Sequence, residues 1–226
     1  MDPVTGTVHA ALEARDLYRF FRAGEEETLA LRGVSLTVQS GEIVAVVGPS
    51  GSGKSTLLGC LAGLDEPAGG TVWIDGERIS HRSEAERAAV RARSVGVLFQ
   101  VGNLIEHLTV SENVALAQRL STGEAPDPTV VIDRVGLGAR AEAYPSQLSG
   151  GEAARAGLAV ALANDPTVLL ADEPTGELDG ETEQRLLALL RTRANAGCGV
   201  LLVTHSPDVV AIADRVVTLS DGQVVS

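Results

Sequence analysis

The sequence is poor in positive charge and in aromatic side chains. Its 18 lysine and arginine residues stand against 30 aspartate and glutamate residues, so the formal net charge at pH 7 is −12. Such a charge repels nucleic acid and anionic lipid surfaces at long range. Aromatic residues make up only 3% of the chain, which leaves little surface for stacking on the bases of single-stranded nucleic acid. We therefore expect no nucleic-acid partner.

Long apolar runs are also missing, because glycine, a charge or another polar residue interrupts each one. None approaches the ~18 consecutive apolar residues that a membrane-spanning helix needs, so we expect no direct membrane insertion. The first ten residues carry Asp2 and no basic flank before an apolar stretch, so they do not resemble a secretion signal. A cytoplasmic location is the expectation.

Cysteine is scarce. Cys60 and Cys198 lie far apart in the sequence and belong to no metal-ligand spacing. This pattern favours two small buried apolar residues over a redox pair or a metal site.

The length of 226 residues and the hydrophobic fraction of 44% fit a single domain over residues 1–226 with a substantial core. Runs rich in valine, isoleucine and leucine alternate with amphipathic stretches of helical length, which predicts an α/β fold with a mostly parallel core sheet. The predicted core strands are 43–47, 95–99, 168–171 and 200–203. The predicted helices include 54–62, 150–163 and 181–194.

Two regions depart from this alternation. Residues 8–40 and 70–80 predict an antiparallel β lobe, with turn signals at Ser40-Gly41 and Asp75-Gly76. Residues from about 103 to 147 predict an inserted helical lobe of short helices, in which Ser111 is expected to cap a helix that begins at Glu112.

The string at residues 48–55 follows a buried strand and opens a helix, as a phosphate-binding loop does. Its glycines let backbone N–H groups point at phosphate oxygens, and the helix N-terminus adds partial positive charge. Lys54 is expected to bridge the β- and γ-phosphates of ATP, and the Ser55 hydroxyl to bind Mg²⁺. The predicted ATP-binding residues of this segment are Gly48, Pro49, Ser50, Gly51, Ser52, Gly53, Lys54, Ser55 and Thr56.

A second candidate site follows the predicted strand at 168–171, which ends on adjacent carboxylates. Asp172 suits support of Mg²⁺, and Glu173 can polarise an attacking water. An Asp-Glu pair at a strand end is by itself more often a solvated turn. Its combination with the phosphate loop favours the catalytic interpretation.

The string Leu148-Ser149-Gly150-Gly151-Glu152, followed by Arg155, places a second anion-binding segment at a helix N-terminus. Taken alone, Ser-Gly-Gly is more often a flexible loop. Its position upstream of Asp172-Glu173, together with the phosphate loop, resembles the nucleotide-binding subunit of ATP-binding cassette (ABC) transporters over essentially the whole chain. The resemblance implies a P-loop ABC ATPase domain that hydrolyses ATP with Mg²⁺.

The resemblance also assigns residues that local sequence alone does not. Gln100 matches the glutamine that senses Mg²⁺ and the γ-phosphate, and His205 matches the histidine beside the catalytic glutamate. Asp179, in the string Gly176-Glu177-Leu178-Asp179, matches an aspartate that crosses the dimer interface. Phe21 is the candidate aromatic for stacking on adenine, with Tyr18 and Phe20 as alternatives.

In the family two subunits pack head to tail, so Ser149, Gly150, Gly151 and Glu152 of one would face the nucleotide on Lys54 of the other. The implied partners are a second ATPase subunit, with a homodimer as the simpler default, and an integral membrane permease on a separate chain. The protein would then lie on the inner face of the membrane through that permease. The helical lobe would dock the permease, although Glu106 stands where relatives often have proline.

The string Glu173-Pro174-Thr175-Gly176 is similar to the lipoprotein-release, macrolide-export and FtsE-like group, which implies export or force transmission. An importer of a small polar solute is the alternative, since importers usually carry serine in place of Gly176. A soluble ABC ATPase with no role in transport is the third possibility. The transported substrate cannot be read from the sequence.

Overall fold

The structure is a computed structural model that describes residues 10–23, 26–121, 126–176 and 178–225. Its strands are β1 (Ala10–Ala23), β2 (Glu26–Gln39), β3 (Ile43–Val47), β4 (Gly69–Ile74), β5 (Glu77–Arg78), β6 (Val95–Leu98), β7 (Val168–Asp172), β8 (Gly199–Val203), β9 (Arg215–Ser220) and β10 (Gln223–Val224). Its α-helices are α1 (Lys54–Leu61), α2 (Glu84–Ser94), α3 (Val110–Arg119), α4 (Pro128–Arg134), α5 (Gly150–Ala161), α6 (Gly180–Asn195) and α7 (Pro207–Ile212).

The core sheet has the strand order β10-β9-β3-β8-β7-β6 and is parallel except for the β9–β10 pair. The predicted core strands are confirmed, with ends that differ by a residue: β6 stops at Leu98, β7 includes Asp172, and β8 begins at Gly199. Parallel strands are covered on both faces, which is why these segments are nearly continuous apolar runs. Strand β9 and helix α2 are additional elements that the sequence reading did not assign.

Alternate side chains of each core strand enter opposite cores, because successive residues of a strand point to opposite faces. Leu170 and Leu201 pack with α1 and the β lobe in one core. Leu169 and Leu202 pack with α5 and α6 in the other. On α6, Leu186, Leu187 and Leu190 are buried, whereas Leu189 is only partly buried. Both predicted cysteine positions are confirmed as buried free thiols.

The β lobe is a separate antiparallel sheet in the order β2-β1-β4-β5. Its predicted antiparallel character is therefore confirmed for the described residues, which begin at Ala10. The turn at Asp75-Gly76 has positive φ at both residues, 50° and 74°, as a tight hairpin requires. This sheet packs over α1 and so covers one side of the phosphate loop's helix.

The segment between β6 and α5 contains α3, α4 and short 3₁₀ turns at Gly138–Arg140 and Pro145–Gln147. The predicted cap at Ser111 is wrong. Helix α3 begins at Val110, and Thr109 is its N-cap: the Thr109 hydroxyl accepts from the Glu112 N–H, and the Glu112 carboxylate accepts from the Thr109 N–H. This reciprocal arrangement satisfies two free N–H groups, which a cap at Ser111 cannot do with Glu112.

No helix in the described part of the chain is long and apolar enough to cross a membrane.

Candidate active site

The phosphate loop joins the carboxyl end of β3 to the start of α1. Gly48, Gly51 and Gly53 have φ values of 152°, 79° and 102°, which L-residues with a side chain rarely adopt. A Cβ at Gly48 would lie 2.0 Å from the Leu219 carbonyl oxygen of β9. Glycine is therefore required at this position by both its φ value and its close contact with the neighbouring strand.

Lys54 is almost completely buried, and its ammonium donates to the carbonyl oxygens of Gly48 at 2.7 Å and Pro49 at 3.0 Å. The loop thus curls around its own lysine. Among the residues that the structure describes, no side chain caps the N-terminus of α1 at Gly53. The first N–H groups of α1 and the Lys54 ammonium are together suited to an anion. The buried Ser52 hydroxyl also has no hydrogen-bond partner among the described residues, as expected beside a ligand site.

A cavity of about 380 Å³ lies over this loop. It is lined by Phe21, Thr28, Leu29, Ala30, Arg32, Gly51, Gly53, Lys54, Ser55, Thr56, Asp221 and Gly222.

Phe21 is the one of the three candidate aromatics that lines this cavity. Its ring also lies 5.0 Å from the Arg19 guanidinium carbon. Tyr18 instead lies against Gly33, where its hydroxyl is 3.0 Å from the position of a Cβ. Sequence reasoning missed Arg32 and the Asp221-Gly222 turn as cavity residues, because neither belongs to a phosphate-binding pattern.

Ser55 and Asp172 meet at the end of β7. The Ser55 hydroxyl donates to Asp172 Oδ2 at 3.1 Å, so the phosphate loop's helix and the second motif form one site. An alcohol and a carboxylate oxygen next to a phosphate-binding loop fit Mg²⁺, which binds a few protein oxygens together with phosphate and water. In the described part of the chain, Gln100, the other predicted metal residue, makes no hydrogen bond to this pair. Within the described residues, no group of three or more His, Cys, Asp or Glu side chains could hold a metal by itself.

Glu173 follows β7 in a left-handed backbone conformation, with φ of 46°. Its carboxylate Oε2 accepts from the Thr204 hydroxyl and from the His205 N–H, both at 3.3 Å. The His205 imidazole Nε2 lies 3.7 Å from Glu173 Oε1. The structure therefore brings the predicted base and histidine together, and adds Thr204, which sequence reasoning missed although it precedes His205.

Gln100 lies beyond the end of β6 and lines a neighbouring cavity of about 290 Å³ with Glu173, Gly150 and Gly176. Its amide nitrogen is 3.9 Å from the position of a Cβ on Gly176. Gln100 is thus placed near Glu173 in this structure, across a cavity that also reaches the first turn of α5.

Ser149 caps α5 in a reciprocal arrangement with Glu152. The Ser149 N–H donates to Glu152 Oε2 at 2.8 Å, and the Ser149 hydroxyl accepts from the Glu152 N–H at 3.3 Å. The hydrogen bond from the Ser149 N–H is the main reason that the pKa of Glu152 lies below its usual value. The positive charge of Arg140 nearby lowers this pKa further. The Glu152 carboxylate is therefore turned toward its own helix and Arg140.

Asp179 caps α6 in the same manner: Oδ1 accepts from the Thr182 N–H at 2.9 Å, and Oδ2 from the Thr182 hydroxyl at 3.2 Å. The hydrogen bond from the Thr182 N–H holds the pKa of Asp179 below its usual value. Thr182 also accounts for the glycine at position 151, because a Cβ on residue 151 would lie 2.4 Å from Thr182 Cγ2. Glu177, part of the predicted interface string, lies outside the described residues.

The site thus combines a phosphate-binding loop, an oxygen pair suited to Mg²⁺ and a carboxylate beside a histidine. These groups lie at the carboxyl ends of β3, β7 and β8, which are neighbours in one parallel sheet. Ligands of open α/β sheets bind at this edge. The arrangement is suited to holding a nucleoside triphosphate and activating water toward its terminal phosphate.

Comparisons with known proteins agree with this geometry. The family model described as ABC transporter matches residues 31–176. The chain is 39% identical to an uncharacterized ABC transporter ATP-binding protein of Methanocaldococcus jannaschii, over 95% of this chain and 97% of that protein. It is 41% identical to the lipoprotein-releasing system ATP-binding protein LolD of Pseudomonas fluorescens, over 96% and 98%.

A third relative is longer. The chain is 40% identical to the macrolide export ATP-binding/permease protein MacB of Escherichia coli, over 95% of this chain but only 34% of MacB. The chain therefore spans about a third of that protein.

Among solved structures, the dimeric form of MJ0796, described as a bacterial ABC transporter cassette, superposes with a TM-score of 0.88 at 35% identity, over 95% of this chain and 97% of that one. The post-hydrolysis dimer of the same cassette, bound to ADP and Pi, gives a TM-score of 0.87 at 35% identity, with the same coverage. The α/β fold with a P-loop, the nucleotide site and these similarities lead to one conclusion: the chain belongs to the ABC transporter family and is an ATP-binding cassette ATPase.

Proposed function

We propose that this ATPase powers a separate integral membrane permease in export or in force transmission across a membrane. The observation that carries the catalytic part is the convergence of the phosphate loop, the Ser55–Asp172 pair and the Glu173–His205 pair at one sheet edge. We infer that the chain forms a single ABC ATPase domain, with a helical lobe at about 103–147, and that this domain carries out the function.

The proposed roles follow from the contacts. Residues 48–56 bind the phosphates, and Phe21 stacks on adenine across the cavity that it shares with Gly53 and Lys54. Ser55 and Asp172 would hold Mg²⁺, with the Gln100 side-chain oxygen as a further ligand, and the ion would supply positive charge for phosphoryl transfer. Glu173 Oε1 accepts a proton from the attacking water, and His205 stabilises that water.

Two copies of the chain are proposed to complete each site. In the described part of the chain, none of residues 149–152 lines the cavity over Lys54. One subunit by itself therefore does not bring these residues to the nucleotide cavity. The solved neighbours are described as dimeric, which supports pairing of two copies, and the head-to-tail arrangement is part of our proposal. In such a pair Ser149, Gly150 and Gly151 would face the partner's phosphates, Glu152 would hold Ser149 in place, and Asp179 would lie at the interface. We take a homodimer as the simplest form.

The permease is proposed to dock on the helical lobe and the cavity next to it. This cavity, about 560 Å³, lies between α2, β6, α3 and α5, and its apolar lining includes Leu64, Phe99 and Leu120. All three side chains are exposed, and Leu120 is 70% exposed. Exposed apolar surface of this kind is suited to a cytoplasmic segment of the permease. Docking there would hold the chain at the inner face of the membrane.

Purification of the tagged chain from its native cells tests this proposal. We expect an integral membrane permease to copurify in detergent extracts, and Leu120→Glu to abolish its recovery without loss of basal ATPase activity. A chain that is recovered without any membrane partner would contradict the transport function.

The names LolD and MacB support export over import. Importer function would be favoured instead if deletion of this gene abolished uptake of a small polar solute. A soluble ABC ATPase is the remaining alternative, and the copurification experiment separates it from both transport functions.

A further inference from the structure

Thr204 is a buried residue that directly follows β8 and contacts the proposed catalytic base. Its side chain is fully buried, and its N–H donates to the Val46 carbonyl oxygen of β3 at 3.1 Å. Its hydroxyl donates to Glu173 Oε2 at 3.3 Å and accepts from the Ser206 N–H at 2.9 Å. Thr204 is therefore held by the central strand while its hydroxyl reaches the active site.

The direction of the Thr204 hydroxyl bond follows from its partners. A hydroxyl group has one hydrogen to donate, and the Ser206 N–H can only donate, so the threonine oxygen is the acceptor there. The hydroxyl hydrogen is thus left for the Glu173 carboxylate oxygen Oε2, which accepts it. Ser206 is fixed in turn, because its own hydroxyl donates to Glu183 Oε1 of α6 at 2.9 Å.

These contacts make the two oxygens of Glu173 different. Oε2 receives both donors, the Thr204 hydroxyl and the His205 N–H. Oε1 has no donor within hydrogen-bond distance among the described residues, and His205 Nε2 lies 3.7 Å from it. One oxygen is anchored to the protein and the other is left for a water molecule.

The backbone conformation of Glu173 explains why its side chain needs to be held. A positive φ is unfavourable for a residue with a side chain, so the surroundings must hold it. The Glu173 N–H donates to the Val203 carbonyl oxygen at 2.9 Å, which fixes the backbone but leaves the side-chain torsions free. The Thr204 hydroxyl bonds to the far end of that side chain.

We propose that Thr204 is a positioning residue for ATP hydrolysis, which holds Glu173 Oε2 so that Oε1 faces the attacking water. The inference rests on the proposed role of Glu173 as general base. It concerns a hydroxyl that contacts neither the phosphate loop nor the cavity over Lys54 among the described residues.

The test compares Thr204→Val, which keeps the shape of the side chain without the hydroxyl, with Thr204→Ser, which keeps the hydroxyl. We expect Thr204→Val to lower kcat about tenfold, the scale of one hydrogen bond to a charged group. KM for ATP should change less than about twofold, because no ground-state contact with nucleotide is lost. Thr204→Ser should recover most of the rate.

Thr167→Val is the matched control. The Thr167 hydroxyl donates to the Ser94 carbonyl oxygen at 3.1 Å, and Thr167 precedes β7 at the end of the strand opposite to Glu173. Loss of the Thr167 hydroxyl should lower the free energy of unfolding about as much as Thr204→Val does, but it should leave kcat unchanged.

A double-mutant cycle with Glu173→Gln, measured in single turnovers, separates positioning from general structural damage. Thr204→Val should slow wild-type protein but change the rate of Glu173→Gln less than about twofold. An equal loss in both backgrounds, or an unchanged kcat in Thr204→Val, would overturn the inference while leaving the proposed function intact. Full activity of Glu173→Gln itself would overturn both.

Discussion

The Ser55 hydroxyl donates to Asp172 Oδ2 across 3.1 Å, although the two residues are 117 positions apart in the sequence. Ser55 lies in the first turn of α1, at the end of the phosphate loop, and Asp172 ends β7, so the contact joins the motif that holds phosphate to the motif that precedes the proposed base. This pair would supply oxygen ligands for a Mg²⁺ ion at the phosphate loop.

Replacing Glu173 with Gln should leave ATP binding intact and slow hydrolysis at least about 100-fold, because an amide cannot take a proton from water. The variant should accumulate as an ATP-bound dimer, measured by phosphate release and by gel filtration with ATP. Glu77→Gln, which removes an exposed ion pair between β5 of the β lobe and Arg93 of α2, is the control and should behave as wild type. Undiminished turnover in Glu173→Gln would contradict the proposed general base.

Lys54 is the only lysine in the sequence, so reagents that modify side-chain amines can report on the phosphate loop alone. We expect ATP to slow reductive methylation of Lys54 at least about tenfold, since bound phosphate would engage and cover the ammonium. Mass spectrometry separates this product from modification of the α-amino group. Lys54→Ala should weaken ATP binding itself. Modification at the same rate with and without saturating ATP would exclude the proposed contact.

Phe21→Ala should raise the Kd for ATP about tenfold, the scale of one lost stacking contact between a base and an aromatic ring. Binding of inorganic triphosphate, which has no base, should stay unchanged. Phe20→Ala is the matched control, because Phe20 is equally exposed but does not line the cavity over Lys54. If Phe20→Ala weakens ATP binding and Phe21→Ala does not, the adenine contact is misassigned.

Gly151→Ala should destabilise the fold by about 1–3 kcal/mol, because the new Cβ would lie 2.4 Å from Thr182 Cγ2. Adding Thr182→Ser should restore stability, since serine lacks that methyl group but keeps the hydroxyl that contacts Asp179. Gly150→Ala, where a Cβ would meet nothing within 4 Å, should cost much less. Thermal unfolding measures all four proteins, and equal stability of the two alanine variants would refute this account of Gly151.

Burial raises the pKa of the Cys60 thiol to about 12. The thiol of an unfolded chain ionises near ~8.5, so its contribution to stability is full below that value and is lost as pH rises through the folded pKa. We expect iodoacetamide at about pH 8 to leave Cys60 unmodified in the native protein and to alkylate it after denaturation, because the thiolate is the reactive form. Alkylation of the native protein would show that this thiol is accessible.

Much of the site could be predicted because its parts are local. The phosphate loop depends on glycine conformations and a helix start within a few residues, and Ser149 and Asp179 mark helix N-termini by residue type. The error at Ser111 is also local: Thr109 and Ser111, two positions apart, are both acceptable caps, and Glu112 three positions after Thr109 decides between them. The roles of Gln100 and His205 came from family resemblance, since a lone glutamine or histidine carries no such signal.

By itself the sequence determined the α/β fold, the phosphate loop and the carboxylates at the end of β7, because periodicity, glycine conformation and strand ends are properties of neighbouring residues. Only the tertiary structure decided which aromatic reaches the nucleotide cavity, that Thr204 anchors Glu173, and that Thr182 requires glycine at position 151. Each of these depends on a distance between elements brought together by packing of the two cores. Such distances follow from how strands and helices pack, which no short stretch of sequence specifies.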